Sequence, residues 1–408
     1  LKPGKDSQAA AVSELFRTAP GVQTILAAGD SKSSVRVSLD ANAGRWKRAQ
    51  EGDKPTGPTI QVDLRVLPLS SWGSALMYFT GSKDHNIRLR ERALKMGMTL
   101  NEWGLFPLEK DGDDEAAPHK RGVQPIAAAT EEEIYAKLGL PYFPPEVRED
   151  HGEFEVVGPI RLIEVADIKA ELHAHTTASD GALTIEELAE HAKARGFHTI
   201  AVTDHSRSST LANGLSIQRL VEHIKNVQRA RAKVKGITIL AGSEVDILVA
   251  GTLDYPNELL KELDIVVASP HAGLTQDPQT ATKRLVAAMS NPYVHILGHP
   301  TGRLINRRQG LSPDMGKVIA AALEHDVALE INAHWMRLDL RDTHVRQSVD
   351  AGCVLAINCD IHHPDDFDNL RFGVLTARRG WLPRERCINT WEAPKLHAWL
   401  KTKRSGNA

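Results

Sequence analysis

The chain has 408 residues, more than one ordinary hydrophobic core accommodates, so its length predicts two or more domains. Its 50 basic and 52 acidic residues give a formal net charge of −2, which excludes a global field that attracts polyanions and leaves local patches for any nucleic-acid contact. The sequence has no apolar run of membrane-spanning length, and Cys353, Cys359 and Cys387 lack the spacing of a disulfide framework. We therefore expect buried thiols in a cytoplasmic protein with no membrane partner.

The first part of the chain mixes both kinds of secondary structure. A helix is predicted over residues 10–20, and strands are predicted over 22–29, 33–39 and 58–68, where apolar residues recur at strand spacing. A second helix is predicted over residues 83–97, because a charged amphipathic run there ends at a glycine.

Polar segments interrupt and follow these elements. Residues 40–58 predict a long exposed hairpin loop, and residues 107–123 predict a second solvated loop. A short helix and a proline-rich stretch over residues 131–150 lead into a linker at 151–165. Only three of the 18 histidines precede residue 170, and this change of composition indicates a domain boundary.

From residue 168 onward, short β-branched runs alternate with helix-sized segments. The seven runs are DIKAELHAH, HTIAVTDH, ITILAGSEVD, DIVVASPH, VHILGHP, VALEINAH and CVLAINCDIH. Such alternation predicts βα units and a parallel sheet or barrel. The first helix is marked by a capping box of Thr184 and Glu187 and by Gly196 as its stop.

Metal-ligand residue types stand at the ends of six of the seven predicted strands. They are His173 and His175, Asp204 and His205, Glu244, His271, His299, and Asp360 with His362. The carboxyl ends of barrel strands converge on one face, so we expect these side chains to share one pocket. Burying several titratable groups together costs free energy unless cations compensate them, and the pattern therefore predicts more than one bound metal ion.

A single histidine near a strand end is usually a hydrogen-bonded structural residue, and a pair spaced like His173 and His175 is by itself a weak signal. Among the other histidines, we interpret five as structural: His191, His223, His295, His325 and His397. The metal hypothesis therefore depends on the joint pattern along the strands.

The motifs HAHTTASDG, TDHS, GSEVDI, SPH, GHP and NCDIHH, at successive strand ends, resemble those of the PHP (polymerase and histidinol phosphatase) family. The resemblance implies a distorted seven-stranded barrel with a cluster of three divalent ions. One ion is implied at His173, His175, Glu244 and Asp360, a second at Glu244, His271 and His299, and a third at Asp180, His205 and His362.

Such a cluster is suited to phosphoester hydrolysis, because a carboxylate that bridges two cations brings them close enough to activate a shared hydroxide. We assign Glu244 and Asp360 to catalysis in this sense. Imidazole and carboxylate ligands suit Mn, Zn or Fe equally. Arg303 lies just past His299 and is a candidate phosphate ligand, with a solvated basic loop as the alternative.

Residues 62–106, with YFTGS and NEWGLF, are similar to the palm end and thumb of family X DNA polymerases, a family that in bacteria carries a C-terminal PHP domain. The resemblance implies a catalytic palm carboxylate at Asp63 and contacts with the incoming nucleotide, a dNTP, at Tyr78 and Phe79. It also implies DNA binding by Gly81, Ser82 and Lys83, where a helix start offers backbone N–H groups to a phosphate. Without the resemblance, Asp63 would be a solvent-facing strand residue, and Tyr78 and Phe79 would be core residues.

Together the resemblances predict an α/β chain in which an α+β polymerase palm remnant and a small thumb domain precede a C-terminal distorted (βα)7 PHP barrel. The predicted domains are a partial palm at 1–82, a thumb at 83–150, a linker at 151–165 and the PHP domain at 166–408.

One departure from the polymerase family bears on activity. The glycine-serine motif and the paired aspartates that would complete a polymerase site with Mg or Mn should lie before Leu1, and the chain starts with that residue rather than Met. Because two-metal nucleotidyl transfer needs at least two carboxylates, we expect no DNA polymerisation by the chain as given. Polymerase activity is expected only in a longer parent protein.

The leading functional hypothesis is a metal-dependent 3′ to 5′ exonuclease of DNA repair, with possible 3′-phosphatase or abasic-site activity, acting on gapped or 3′-recessed duplex ends. One alternative is a small-molecule phosphatase of the histidinol phosphate type, although such an enzyme needs no thumb. The other is a non-catalytic PHP support for a gap-filling DNA polymerase, although a support needs no ligands.

Overall fold

The structure is a computed structural model that describes residues 6–29, 31–39, 57–108 and 116–404. The chain divides into two compact units, the first ending at Ile160 and the second beginning at Arg161. Across the described ranges, no helix is both long and apolar enough to cross a membrane.

The first unit begins with a three-stranded antiparallel sheet in the order β1-β2-β3. Its elements are α1 (Asp6–Arg17), β1 (Val22–Ala28), β2 (Lys32–Ser38) and β3 (Thr59–Arg65). Helix α1 packs against β1 and β2. The predictions of this helix and these three strands are confirmed, and the predicted loop at 40–58 lies almost entirely outside the described residues.

The rest of the first unit is a small helical layer with one hairpin. Its elements are α2 (Trp72–Thr80), α3 (Lys83–Lys95), β4 (Met98–Asn101), β5 (Gly104–Pro107) and α4 (Glu131–Lys137). Helix α3 was predicted, and so was the short helix α4, which begins with a capping box of Thr130 and Glu133. Helix α2 and the β4–β5 hairpin were not predicted. The predicted loop at 107–123 is described only in part, with a short 3-10 helix over Pro118–Arg121.

A buried ion pair holds this helical layer together. The Arg148 guanidinium, with no exposed surface, donates to both carboxylate oxygens of Glu131 at 2.6 and 3.1 Å and to the Phe143 carbonyl at 2.9 Å. Nearby, His85 lies between the Glu153 carboxylate at 2.7 Å and the Tyr135 hydroxyl at 2.8 Å. The segment up to residue 155 is therefore tied into the first unit, while the domain boundaries predicted above, including the linker at 151–165, stay a prediction.

The second unit contains a seven-stranded sheet in the order β12-β11-β10-β9-β8-β7-β6, with every pair parallel. The strands are β6 (Ala170–Glu171), β7 (Thr199–Val202), β8 (Thr238–Asp246), β9 (Ile265–Ser269), β10 (Ile296–Leu297), β11 (Ala328–Asn332) and β12 (Leu355–Asn358). All seven predicted strands are confirmed. The α/β fold class and the barrel predicted for this part are therefore confirmed as well.

Helices lie between the strands along the chain and after the last of them. They are α5 (Ile185–Ala194), α6 (Ile217–Lys233), α7 (Asn257–Leu260), α8 (Pro278–Met289), α9 (Met315–Glu324), α10 (Asp342–Ala351), α11 (Leu370–Arg379) and α12 (Ala393–Arg404). The predicted capping box of α5 is present, with the Thr184 hydroxyl accepting from the Glu187 N–H and the Glu187 carboxylate accepting from the Thr184 N–H. Gly196 follows the helix with a left-handed φ of 81°, as predicted for its stop.

The sheet nearly closes into a barrel. Just beyond β6 and β12, Ala174 and Ile361 form a parallel bridge, in which the Ile361 carbonyl accepts from the His175 N–H at 2.7 Å. Inside the barrel, apolar residues such as Leu240 and Val267 pack with Leu396 and Leu400 of α12, so that this helix plugs the end opposite the carboxyl ends of the strands.

The three cysteines are buried and unpaired, as predicted. Burial raises the pKa of the Cys353 thiol to about 11 and that of the Cys387 thiol to about 12. Neither thiol therefore ionises near neutral pH.

The substitution Glu131→Ala is expected to lower the free energy of unfolding of the first unit by about 3 kcal/mol, because it leaves the Arg148 charge buried without a partner. The measurement is hydrogen exchange followed by mass spectrometry over residues 131–148 in urea. The matched control is Glu132→Ala, which removes an exposed carboxylate from the same helix turn. Equal losses of protection in the two variants would contradict the role of the ion pair.

Candidate metal centre

Nine side chains gather at the carboxyl ends of the barrel strands. His173 and His175 follow β6, Asp180 lies in the loop beyond them, His205 follows β7, Glu244 lies within β8, His271 follows β9, His299 follows β10, and Asp360 and His362 follow β12. The structure thus brings together the nine residues that the family resemblance implied as ligands. The prediction that Asp204 shares this pocket is wrong, because its carboxylate is taken up by the backbone N–H groups of a neighbouring turn.

The Glu244 carboxylate is the hub of this cluster. Five imidazole nitrogens lie within 3.6 Å of its oxygens: His299 Nε2 at 2.7 Å, His205 Nδ1 at 2.8 Å, His173 Nε2 and His271 Nε2 at 3.3 Å, and His175 Nε2 at 3.6 Å. A carboxylate with so many ligand-type neighbours has the position that a bridge between cations requires.

Four groups of ligand atoms are compact enough to hold an ion, with all atoms of a group within 4.8 Å of one another. They are His175, Asp180, His205 and His362; His173, His175 and Asp360; His173, Glu244 and His299; and His205, Glu244 and His271. The first group contains the predicted third set, and the second contains the predicted first set without Glu244. The predicted second set is divided between the last two groups. The assignment of individual ligands stays a prediction.

The donor atoms themselves fit cations. In the described part of the chain, the buried atoms His173 Nε2, His175 Nδ1, His205 Nδ1 and Glu244 Oε2 make no hydrogen bond of acceptable geometry. Unsatisfied buried polar atoms cost free energy, and four of them converging on one place indicate a missing electrophilic partner. Imidazole and carboxylate together are a ligand set for a transition-metal divalent cation.

The carboxylates and imidazoles of the cluster shift one another's pKa values. Burial alone raises the pKa of the Glu244 carboxyl, but the imidazoles of His271 and His173 outweigh burial and hold the pKa well below its usual range. Burial lowers the pKa of His271, yet Glu244 and the hydrogen-bonded Asp246 raise it to about 10. Burial lowers the pKa of His175 to about 4. Carboxylates thus stay ionised here, and their charge is available to compensate bound cations.

Two buried carboxylates outside the nine orient ligand histidines, and neither was predicted from the sequence. Glu330 of β11 accepts from His173 Nδ1 at 2.8 Å and from the His299 backbone N–H at 2.7 Å. Asp246, at the end of β8, is hydrogen-bonded to His271 Nδ1. Each carboxylate fixes the ring so that Nε2 faces Glu244, an arrangement that strengthens metal ligation. Charged residues within the otherwise apolar runs VALEINAH and ITILAGSEVD were the available signal.

Asp204 orients a loop rather than facing the ligands. Its carboxylate accepts from the backbone N–H groups of Thr176 at 2.8 Å and Ser179 at 3.1 Å, and His223 Nε2 lies 2.8 Å from one of its oxygens. These bonds fix the turn that carries Asp180. His223 therefore has a structural role, as predicted. So does His295, whose Nδ1 accepts from a β9 backbone N–H, and so does His397, which is hydrogen-bonded to Thr199.

The cluster opens into a cavity of about 460 Å³. Its lining includes Asp180, His205, His271, Asp360, His362 and Arg337. Among the described lining residues, Arg337 is the one arginine or lysine, and its Nε lies 3.5 Å from an Asp360 carboxylate oxygen.

The predicted phosphate ligand Arg303 lies elsewhere. Its Nε donates to the Arg337 carbonyl at 2.8 Å and its guanidinium also contacts the Leu338 carbonyl, beside a separate small cavity that is lined by Thr301 and Asp339. Arg303 therefore supports the turn on which Arg337 stands. Phosphate binding by Arg303 stays a prediction.

The site residues predicted in the first unit lie around β3, α2 and the start of α3. Asp63 is exposed on β3, with the Gln61 amide donating to it at 3.1 Å. Hydrogen bonds from Ser34 and Gln61 lower the pKa of the Asp63 carboxyl. Tyr78 is half-buried and Phe79 is exposed, so neither is the core residue that composition alone would favour.

Phe79 is linked to the strand of Asp63 because the Arg65 guanidinium lies 5.1 Å from the centre of its ring. At the start of α3, Gly81 has a left-handed φ of 74°, and Ser82 is the N-cap, its hydroxyl accepting from a backbone N–H of the first turn. The Ser82 N–H donates to the Arg148 carbonyl, and the Lys83 side chain is exposed. Nucleotide and DNA binding by these residues stay predictions.

Comparison with known proteins agrees with both parts of this structure. The family model of the DNA polymerase beta thumb matches residues 75–149, and that of the PHP domain matches residues 171–334. The second unit is thus a PHP domain, a class of domain that binds several divalent metal ions.

The chain is 37% identical over 393 residues, 96% of its length, to the DNA polymerase/3′-5′ exonuclease PolX of Bacillus subtilis (strain 168), of which it spans 64%. It is also 30% identical over 245 residues to a probable phosphatase of Caldanaerobacter subterraneus subsp. tengcongensis, covering 57% of this chain and 91% of that protein. A probable phosphatase of Thermoanaerobacter sp. (strain X514) is 29% identical over 245 residues, with 95% of its length covered. The chain belongs to the family X DNA polymerases that carry a C-terminal PHP domain.

The substitution Glu330→Gln is expected to weaken Mn²⁺ binding about tenfold, because an amide holds the His173 ring less firmly than a carboxylate and does not add to its basicity. The measurement is a calorimetric titration of metal-free protein with Mn²⁺. Glu324→Gln, at an exposed end of α9, is the matched control. Unchanged affinity in Glu330→Gln would show that the His173 ring needs no such support.

Proposed function

We propose that this chain is a metal-dependent phosphoesterase that removes nucleotides from the 3′ ends of DNA. The observation that carries the proposal is the buried Glu244 carboxylate, surrounded by five imidazoles at the mouth of the barrel. This geometry supports ions bridged by a carboxylate, which is the arrangement of enzymes that hydrolyse phosphate esters.

Three divalent ions, Mn, Zn or Fe, are part of the proposal. His173, His175, Asp360 and Glu244 would hold the first, Glu244, His271 and His299 the second, and Asp180, His205 and His362 the third. The ions supply Lewis-acid activation of water and neutralisation of phosphate charge when they are bound. The four compact ligand groups give room for this number, although four residues each belong to two of the groups: His173, His175, His205 and Glu244.

The side chains of the protein would hold the cations and position the phosphate. Glu244 and Asp360 would hold the cations in the interior of the site, and Arg337, which lines the cavity, would contact a non-bridging oxygen of the scissile phosphate. In the reaction, the oxygen of water bonds to phosphorus while the bond from phosphorus to the 3′-oxygen of the preceding nucleotide breaks. That oxygen leaves with a proton, and the products are a nucleoside 5′-monophosphate and a DNA strand shortened by one nucleotide.

DNA enters the proposal through the similarity to PolX, which extends over 96% of the chain and includes the thumb. Gly81, Ser82 and Lys83 would contact the phosphates of gapped or 3′-recessed duplexes. Asp63, Tyr78 and Phe79 would serve nucleotide addition with a dNTP and Mg or Mn in a protein that also supplies the other palm carboxylates. Three unpaired cysteines support a cytoplasmic location.

A second candidate function is hydrolysis of a small phosphate monoester. It is favoured by the similarity to probable phosphatases, because 57% of this chain is enough to cover 91% of the length of one of them. The other alternative is a PHP domain that only supports a polymerase, and it does not explain why nine ligand-type side chains are gathered in one site.

The substitution Glu244→Gln is expected to reduce hydrolysis of a 3′-recessed DNA duplex in Mn²⁺ at least 1,000-fold, since the amide cannot compensate two cations. Release of 5′-end-labelled shortened strands is measured, with histidinol phosphate as the competing substrate. Glu258→Gln, which replaces an exposed carboxylate in α7, is the control. Faster turnover of histidinol phosphate than of DNA by the unmodified chain would favour the small-molecule phosphatase. Cleavage that survives in Glu244→Gln would exclude this cluster as the active site.

The substitution Arg337→Ala is expected to lower kcat on the same duplex about 100-fold with unchanged metal content, because one charged donor to the phosphate is lost. Elemental analysis accompanies the kinetics, since Arg337 lies close to Asp360. Arg307→Ala, on an exposed position of the neighbouring loop, should leave kcat unchanged. An Arg337→Ala variant with full activity and normal metal content would remove Arg337 from the mechanism.

A further inference from the structure

The cavity of the metal centre has an apolar side that phosphate chemistry does not explain. Leu211 and Val249 line it together with His205, His271 and Asp360. The Leu211 side chain is fully exposed and that of Val249 is about half exposed, at 53%. We call these two residues the apolar rim. Exposure of the leucine and valine side chains to water is unfavourable in free energy. The rim is therefore suited to a ligand with an apolar surface.

The loop of Leu211 is held firmly in place. The Asp254 carboxylate accepts from the Ser208 N–H at 2.8 Å, the Ser209 hydroxyl donates to Asp246 at 2.9 Å, and the Asn213 amide donates to the Ser179 carbonyl at 3.1 Å. At Gly214 a Cβ would lie 2.0 Å from the Ser206 carbonyl oxygen, so the chain there admits only glycine. Leu211 is therefore exposed by a fixed loop.

The turn of Val249 is fixed as well. The Leu248 N–H donates to the Thr252 carbonyl at 2.8 Å, Gly251 adopts a left-handed φ of 93°, and the Gln276 amide donates to the Val249 carbonyl at 3.2 Å. Both rim residues are thus presented in a defined position before any ligand binds, and a contact with them costs little ordering entropy.

We propose that the apolar rim binds the base of the 3′-terminal nucleotide whose phosphate is at the metal centre. This inference rests on the proposed function. A nucleotide combines an anionic phosphate with a planar base whose faces are apolar, which matches a cavity with ligand residues and Arg337 on one side and the rim on the other. A sugar phosphate, by contrast, presents hydroxyl groups to the rim. Because aliphatic side chains contact any base alike, the subsite discriminates nucleotides from other phosphate esters and does not read sequence.

The test uses two single-stranded oligonucleotides that differ only at the 3′ end, one with a terminal thymidine and one with a terminal tetrahydrofuran residue that lacks a base. The double variant Leu211→Ser/Val249→Ser is expected to raise KM for the thymidine end about tenfold, with kcat unchanged, because binding common to the ground and transition states is lost. KM for the abasic end should stay the same in the variant and the unmodified chain.

Two further variants make the test specific. Leu211→Met/Val249→Ile keeps apolar surface on the rim and should retain the original KM. Leu323→Ser removes an exposed leucine of α9 that does not line the cavity, and it should change neither substrate. Thermal unfolding of the double variant verifies that the fold is intact.

The outcomes are distinct. Equal increases of KM for both oligonucleotides would overturn the proposal, since the rim would then contact the backbone, and an unchanged KM for the thymidine end would overturn it as well. If the unmodified chain with Mn²⁺ cleaves neither oligonucleotide and no 3′-recessed duplex, the proposed function itself fails, which is a different result from either of these.

Discussion

The charge balance around Glu244 is the constraint on which the second unit depends. A buried carboxylate and five imidazoles within 3.6 Å form a set that is stable only when opposite charges face one another, because each group has lost its hydration. Within the described residues, the unsatisfied nitrogens of His173, His175 and His205 show that the balance among the protein groups is incomplete. Bound divalent cations would satisfy these nitrogens and complete the charge balance. The arrangement of the side chains is therefore suited to binding ions.

Two of the ligand-type residues also have unusual backbone conformations. Asp360 has a left-handed φ of 55° and His299 a φ of 23°, both just after a strand, and a positive φ is uncommon for residues other than glycine. Neither position lies in a surface turn that could relax, since Asp360 is almost wholly buried and His299 is completely buried. Such conformations persist where the surroundings overdetermine them, as the parallel strands do here.

Much of this arrangement could be predicted from the sequence, because short β-branched runs recur along the second unit. Seven β-branched runs fixed the strands, and the rule that parallel strand ends converge brought residues as distant as His173 and His362 together. Residues whose role depends on geometry were not readable. Glu330 was overlooked because a lone glutamate in a strand has no characteristic spacing, and Arg337 was overlooked because only the folded turn shows that its guanidinium reaches the cavity. Helix α2 and the β4–β5 hairpin were missed because their apolar residues lack a long repeat.

The bond between Glu330 and His173 shows why the barrel has to close. In the strand order, β11 and β6 are five places apart, which in a flat sheet is about 24 Å at the usual spacing of neighbouring strands. Their side chains nevertheless meet at 2.8 Å. Only a sheet curved into a cylinder allows this contact, and the bridge between Ala174 and Ile361 supplies the curvature at the seam. Strand β11 contributes none of the nine ligand-type residues, so Glu330 is free to orient one from across the interior, and the turn beyond it carries Arg337. Closure of the barrel and preorganisation of the metal centre are therefore one structural requirement.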